Sequence, residues 1–191
     1  MKNLMIIGPV RCGKTTLANM LCEKFRFNYV SQDALVTTFQ NIAPQLEIKD
    51  RWDYPTHNNK HRETLAPFMF EYMKRLVDKY EHGTAKHLWL VEGAHIGVRT
   101  AHKLIDHKNW DIVVLGYPNL DAENALRAVR ENDTEHDWTR DESDEDLLKY
   151  LAEGAEQSAQ YRLAAAELGL TFIDTGSDRK RKLQEFLQNL S

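Results

Sequence analysis

Hydrophobic positions fall in short, nearly continuous runs, each followed by a stretch with helical spacing. "NLMIIG" (3–8) is an apolar run ending in glycine. Behind it, residues 14–25 place Leu17, Met20, Leu21 and Phe25 at helical intervals. "FNYVS" (27–31), "HLWLVEG" (87–93), "WDIVVLGYP" (110–118) and "TFIDTG" (171–176) repeat the strand pattern. A helix is expected from about 62 to 81. A second over 121–132 puts Ala122, Ala125, Leu126 and Val129 on one face. Ser143, with Asp144, Glu145 and Asp146 behind it, marks the start of a long helix that Gly169 stops. A last helix covers 178–190. Residues 42–62 carry no clean period, two prolines and many polar groups, so they read as an excursion from the core.

Apolar strands alternating with helices predict a parallel sheet covered on both faces. In such sheets ligands bind beyond the carboxyl ends of the strands. The residues just past those ends are Gly8–Thr15, then Ser31 and Asp33, Glu92, Tyr117, and Thr175 with Gly176. Polar groups recur at each one.

The first end carries the most specific pattern. Gly8-x-x-x-x-Gly13-Lys14-Thr15 follows a strand and opens a helix, the setting that a phosphate-binding loop requires. The glycines let successive N–H groups curl toward a polyphosphate, and the helix adds its positive end. Lys14 can reach the outer phosphates, and the Thr15 hydroxyl can ligate Mg²⁺. The whole run Gly8, Pro9, Val10, Arg11, Cys12, Gly13, Lys14, Thr15 and Thr16 is the expected nucleotide cradle. Within it Arg11 either touches a phosphate or points to solvent, and Cys12 is read as a small filler.

Composition narrows the class. A 191-residue chain suits one domain, expected over 1–191. A net charge of -4 gives no footprint for nucleic acid or for a basic membrane face. The charge is uneven: residues 1–100 hold 14 Lys/Arg and 10 Asp/Glu, while 101–191 hold 11 and 19. Two cysteines, Cys12 and Cys22, frame no disulfide scaffold, and the N-terminal apolar run is too short for a secretory leader. A cytoplasmic location is expected.

Other motifs sort the P-loop classes. No Asp-x-x-Gly follows a strand, and "NKHR" (59–62) lacks the final Asp of a guanine motif. The third strand ends in Val91-Glu92-Gly93, without the Asp-Glu of motor-type ATPases. In layout the chain resembles the P-loop small-molecule kinases, the group of adenylate, shikimate, nucleoside and phosphoglycerate-type kinases. The resemblance implies a three-layer P-loop NTPase fold with a five-stranded parallel sheet and helices on both faces. It also implies ATP and Mg²⁺ as cofactors and an ATP-dependent phosphotransferase acting on a small hydroxyl- or phosphate-bearing metabolite. A nucleoside or nucleotide kinase is the nearest alternative. An ATP-binding regulatory module without an acceptor is the alternative of another class.

Under that resemblance Asp33 takes the place of an acceptor-binding carboxylate, either general base or helix cap. Glu92 matches the acidic end of the Walker B strand, holding metal-bound water or an acceptor hydroxyl. Arg127 and Arg130, three apart on a helix, lead into a lid-like segment over about 127–142. They serve the transition state or are surface charges. The excursion of about 42–62 is the implied acceptor region. There Arg51 and Arg62 can hold an anionic group, and Trp52 and Tyr54 either stack on the acceptor or pack a small core. Thr175 and Gly176 sit where the resembling kinases wrap backbone around adenine. Residues 132–146 hold eight acids and one arginine, unlike the arginine-rich lid of adenylate kinases. They read as a solvated acidic loop, with a cationic acceptor as the other reading. The implied partner is a small-molecule phosphate acceptor, without nucleic acid or membrane, the protein acting as monomer or homodimer.

Overall fold

A computed structural model of the chain describes residues 1–46, 60–80, 87–135 and 137–190, with the backbone alone at 60–63 and 79–80. Five parallel strands form one sheet: β1 (Asn3–Ile7), β2 (Asn28–Ser31), β3 (Trp89–Gly93), β4 (Trp110–Gly116) and β5 (Thr171–Asp174). Their spatial order is β2-β3-β1-β4-β5. β1 is therefore central, and all five of its residues are buried. In register, Ile7 lies beside Gly93 on one side and Val114 on the other, so the strand ends gather around the loop that leaves β1.

Seven α-helices cover this sheet among the described residues: α1 (Lys14–Phe25), α2 (Gln32–Ile42), α3 (Lys60–Tyr80), α4 (Val98–Leu104), α5 (Ala122–Asn132), α6 (Asp144–Leu168) and α7 (Arg179–Asn189). Side chains alternate across a strand, and β1 divides its residues accordingly. Met5 and Ile7 pack with Met69 and Met73 of α3, Ala101 of α4 and Tyr161 of α6. Leu4 and Ile6 pack with Leu17 and Leu21 of α1 and Leu183 of α7. Each face has its own apolar cluster, so the three-layer α/β expectation holds.

Helix ends follow the expected chemistry. The Ser143 side chain accepts from the Asp146 N–H at 3.1 Å, capping α6. Gly169 closes the same helix in the left-handed conformation. Two helices carry no readable period in the sequence. In α2, Val36, Thr37 and Thr38 are β-branched, which weakens the helical signal, and only Gln32 and Val36 are buried. α4 has seven residues, too few to display a period. No helix among the described residues is long and apolar enough to cross a membrane.

Candidate functional site

The run from Gly8 to Thr15 leaves the central strand and enters α1, with Gly13 at φ 93° as its turning point. Four successive carbonyls of this loop accept side-chain donors. Lys14 Nζ donates to Pro9 at 2.7 Å and the Tyr117 hydroxyl to Val10 at 2.6 Å. Arg179 Nη1 donates to Arg11 at 3.2 Å and the Thr175 hydroxyl to Cys12 at 2.9 Å. In a trans peptide the N–H points opposite to the C=O. Carbonyls tied to the protein therefore leave N–H groups as the loop's free polar face, the arrangement that suits an anion.

Above the loop lies a cavity of about 670 Å³. Its floor is Val10, Arg11, Gly13, Lys14, Thr15 and Thr16. One wall comes from α2, with Asp33, Val36 and Thr37, and from the end of β3, with Glu92, Ala94 and His95. Asn132, Asp137 and Trp138, beyond α5, form the other, and Arg179 enters from α7.

Glu92 is buried beside the loop. Its Oε1 accepts from the Tyr29 hydroxyl at 2.6 Å and from the Thr15 hydroxyl at 3.3 Å. Partial burial and that carboxylate push the Tyr29 phenol well above its usual range, so Tyr29 stays a donor. Thr15 and Glu92 form an all-oxygen pair at the loop's edge, a donor set that fits a hard cation such as Mg²⁺.

Asp33 lies in the first turn of α2, which Ser31 caps. Its carboxyl group is 72% exposed and points its Oδ1 at His95 Nε2, 2.8 Å away. A carboxylate only accepts, so Nε2 carries the shared hydrogen. His95 is buried and precedes α4. Its own N–H donates to Gln32 Oε1 at 3.1 Å. The start of α2 is thereby bolted to the end of β3.

Arg11 sits at φ 56°, a left-handed conformation that costs a non-glycine residue roughly 1–2 kcal/mol. Its guanidinium reaches Asp137 Oδ1 at 2.6 Å and Asp133 Oδ1 at 2.7 Å. The Asp133 side chain is almost fully buried and also accepts from the Thr139 hydroxyl at 2.6 Å. The Thr134 N–H and hydroxyl bind Asp137 Oδ2, and with Arg11 they lower its carboxyl from 3.8 to about 2. Two of the acids in 132–146 are therefore ion-paired to the phosphate loop, which a solvated-loop reading does not include.

The two arginines of α5 stand elsewhere. Arg127 is exposed and donates to Asn124 one turn earlier. Arg130 donates to Asp144 Oδ1 at 2.7 Å, to the Thr139 carbonyl at 2.6 Å and to the Glu142 carbonyl at 2.6 Å. It ties the segment after α5 to the start of α6. Neither is among the cavity's lining residues. Thr175 is buried against the loop, and its hydroxyl also lies 3.1 Å from the Gly116 carbonyl. The Gly176 N–H turns back to Asp174. Cys12 is fully buried, and that burial raises its thiol's pKa. Arg51, Trp52 and Tyr54 lie outside the described residues, as does the side chain of Arg62.

Sequence reasoning did not single out Arg179, Asn132, Trp138 or Tyr29 for the cavity region. Arg179 belongs to a basic run at the start of α7 that carries no motif. Tyr29 stands exposed between half-buried neighbours and reads as an ordinary strand residue.

No protein-family model and no curated protein matches the chain. Among solved structures it is similar to a shikimate kinase from Bacteroides thetaiotaomicron. The TM-score is 0.59 at 14% identity, covering 100% of this chain and 99% of that one. A shikimate kinase from Acinetobacter baumannii, solved in complex with shikimate, gives 0.56 at 15%, covering 100% and 93%. An uncharacterized protein from Eubacterium ventriosum gives 0.57 at 11%, covering 99% and 98%. The chain has the fold of the P-loop small-molecule kinases.

Proposed function

We propose that the protein is an ATP-dependent phosphotransferase that moves a phosphoryl group onto a small hydroxyl- or phosphate-bearing metabolite. One observation carries the reading: an anion cradle and an exposed carboxylate, Asp33, line the same cavity. A protein that only binds nucleotide has no use for that carboxylate.

In this reading the loop amides and Lys14 hold the phosphates of ATP. Lys14, whose ammonium rests on the Pro9 carbonyl at 2.7 Å, has a neutral partner to give up for a charged one. Thr15 and Glu92 would hold Mg²⁺, which supplies charge neutralisation on the phosphate oxygens. Asp33 accepts the proton of the attacking hydroxyl, or orients that hydroxyl in line, with His95 fixing one of its oxygens. Arg11, Lys14 and Arg179 supply the positive charge on the cavity lining.

Incubation of the protein with Mg·ATP and a pooled metabolite library, read by mass spectrometry, tests the proposal. A product heavier by one phosphoryl group, absent with Lys14→Ala, is the expected result. Nucleotide binding without any phosphorylated product across hydroxyl and phosphate acceptors would favour a regulatory binder.

A further inference from the structure

We propose that Arg11 is an exchangeable cation. In the free protein Asp133 and Asp137 hold it, and the phosphates of the bound nucleotide compete with them for its guanidinium. The inference rests on the nucleotide-binding reading of the loop and adds a control built into it.

Four observations support the exchange. First, Arg11 and Asp137 both line the cavity that Lys14 lines, so a polyphosphate there meets the guanidinium and its carboxylate partner together. Second, Arg11 holds a strained left-handed backbone within the loop, and strain retained at a loop of this kind points to function. Third, the Arg11 carbonyl is anchored separately by Arg179, so the side chain can change partners without the loop letting go. Fourth, each acid keeps a donor when Arg11 leaves. Asp133 Oδ1 keeps the Thr139 hydroxyl, and its buried Oδ2, which has no hydrogen bond, lies 3.9 Å from Arg130 Nη1, while Asp137 keeps both donors of Thr134.

A polyphosphate offers a planar guanidinium several oxygens in the same forked geometry as the two carboxylates. The contest is therefore between like partners. Losing Arg11 removes two ion pairs between the loop and the segment after α5, while Arg130 keeps that segment attached to α6. Occupancy of the phosphate site and attachment of the acidic segment become linked: each weakens the other by the same factor. Two of the eight acids of 132–146, Asp133 and Asp137, gain a role in this account: they set how readily the loop accepts an anion.

A double-mutant cycle on binding tests the exchange, with calorimetry at fixed ionic strength for Mg·ATP and, separately, for inorganic tripolyphosphate. Asp137→Asn should bind both ligands about fivefold tighter or more. Arg11→Met should bind them roughly tenfold more weakly. In the Arg11→Met background, the gain from Asp137→Asn should shrink below about twofold, since no guanidinium is left to release. Arg11→Lys, which keeps the charge but not the fork, should fall between and serves if the Met variant folds poorly. An undiminished gain in the Arg11→Met background would show plain repulsion between Asp137 and the anion, and would overturn the exchange. So would an Asp137→Asn variant that binds no tighter than wild type. Binding that is indifferent to Lys14→Ala would instead overturn the nucleotide reading itself, and the exchange with it.

Discussion

The phosphate loop and the acidic segment behind α5 touch through Arg11, yet their residues find their roles differently. In the loop, neighbours along the chain decide. Gly13 turns the backbone, Lys14 and Thr15 begin the helix, and the strand before them is buried throughout. In the acidic segment, neighbours in space decide. Asp133 and Asp137 meet an arginine more than a hundred positions earlier, and Arg130 gathers Thr139, Glu142 and Asp144 around itself. Local rules suffice to recognise the first region. The second reads as a run of solvated charge until its partners are known.

The largest expected effect belongs to the loop. Lys14→Ala should leave no detectable transfer from Mg·ATP while the melting temperature stays close to wild type, because the lysine's bond to Pro9 is a local one. Full turnover in this variant would remove the loop from the chemistry. Next comes the wall opposite the acidic segment. Asp33→Asn should slow transfer by about 10²-fold or more with ATP affinity kept. If affinity drops and turnover per bound ATP survives, Asp33 belongs to the nucleotide site.

Arg127 and Arg130 sharpen the contrast within a single helix. Arg130→Met removes the donor to two carbonyls and a carboxylate, and urea denaturation should report a loss of about 1–3 kcal/mol. Arg127→Ala, at an exposed position, should stay within about 0.5 kcal/mol of wild type. Equal losses would mean that position on the helix, and not the partners, sets the cost. A drop in kcat for Arg127→Ala at unchanged stability would return that arginine to the transition state.

The smallest effect concerns acid. The folded-state value of Asp137 lies below its ordinary one, so its stabilising contribution is complete above about pH 4. It is lost as pH falls through about 2. The stability advantage of wild type over Asp137→Asn, followed by circular dichroism, should shrink across that window. An advantage that persists at pH 2 would assign the carboxyl's role to packing.

The sheet was legible because β1, β3 and β4 carry long apolar runs and β2 and β5 shorter ones, each bounded by turn residues, and the α6 caps were legible because Ser143 and Gly169 act on their own neighbours. α2 and α4 were not, one through its β-branched run and the other through its length. At the site the loop, Asp33 and Glu92 could be read from their places at or just past strand ends. Arg179 could not, since nothing near it in sequence says that α7 begins beside the loop. His95 could not be read either, because its burial comes from the junction of β3 and α2, which no local pattern describes.

The carbonyl anchors of the loop carry a consequence for what a sequence signature can mean. The eight-residue pattern supplies flexibility and one lysine, but the direction in which its peptides face is imposed from β4, β5 and α7, through Tyr117, Thr175 and Arg179. Tyr117 in turn needs Gly154, because a β-carbon there would lie 2.1 Å from its hydroxyl. A glycine within a long helix, itself costing about 1 kcal/mol against alanine, is thus a remote spelling of the cradle. The same eight letters grafted onto a sheet without these outlying residues would make a loop of similar shape with no fixed polarity, as ready to present oxygen as hydrogen to an incoming anion.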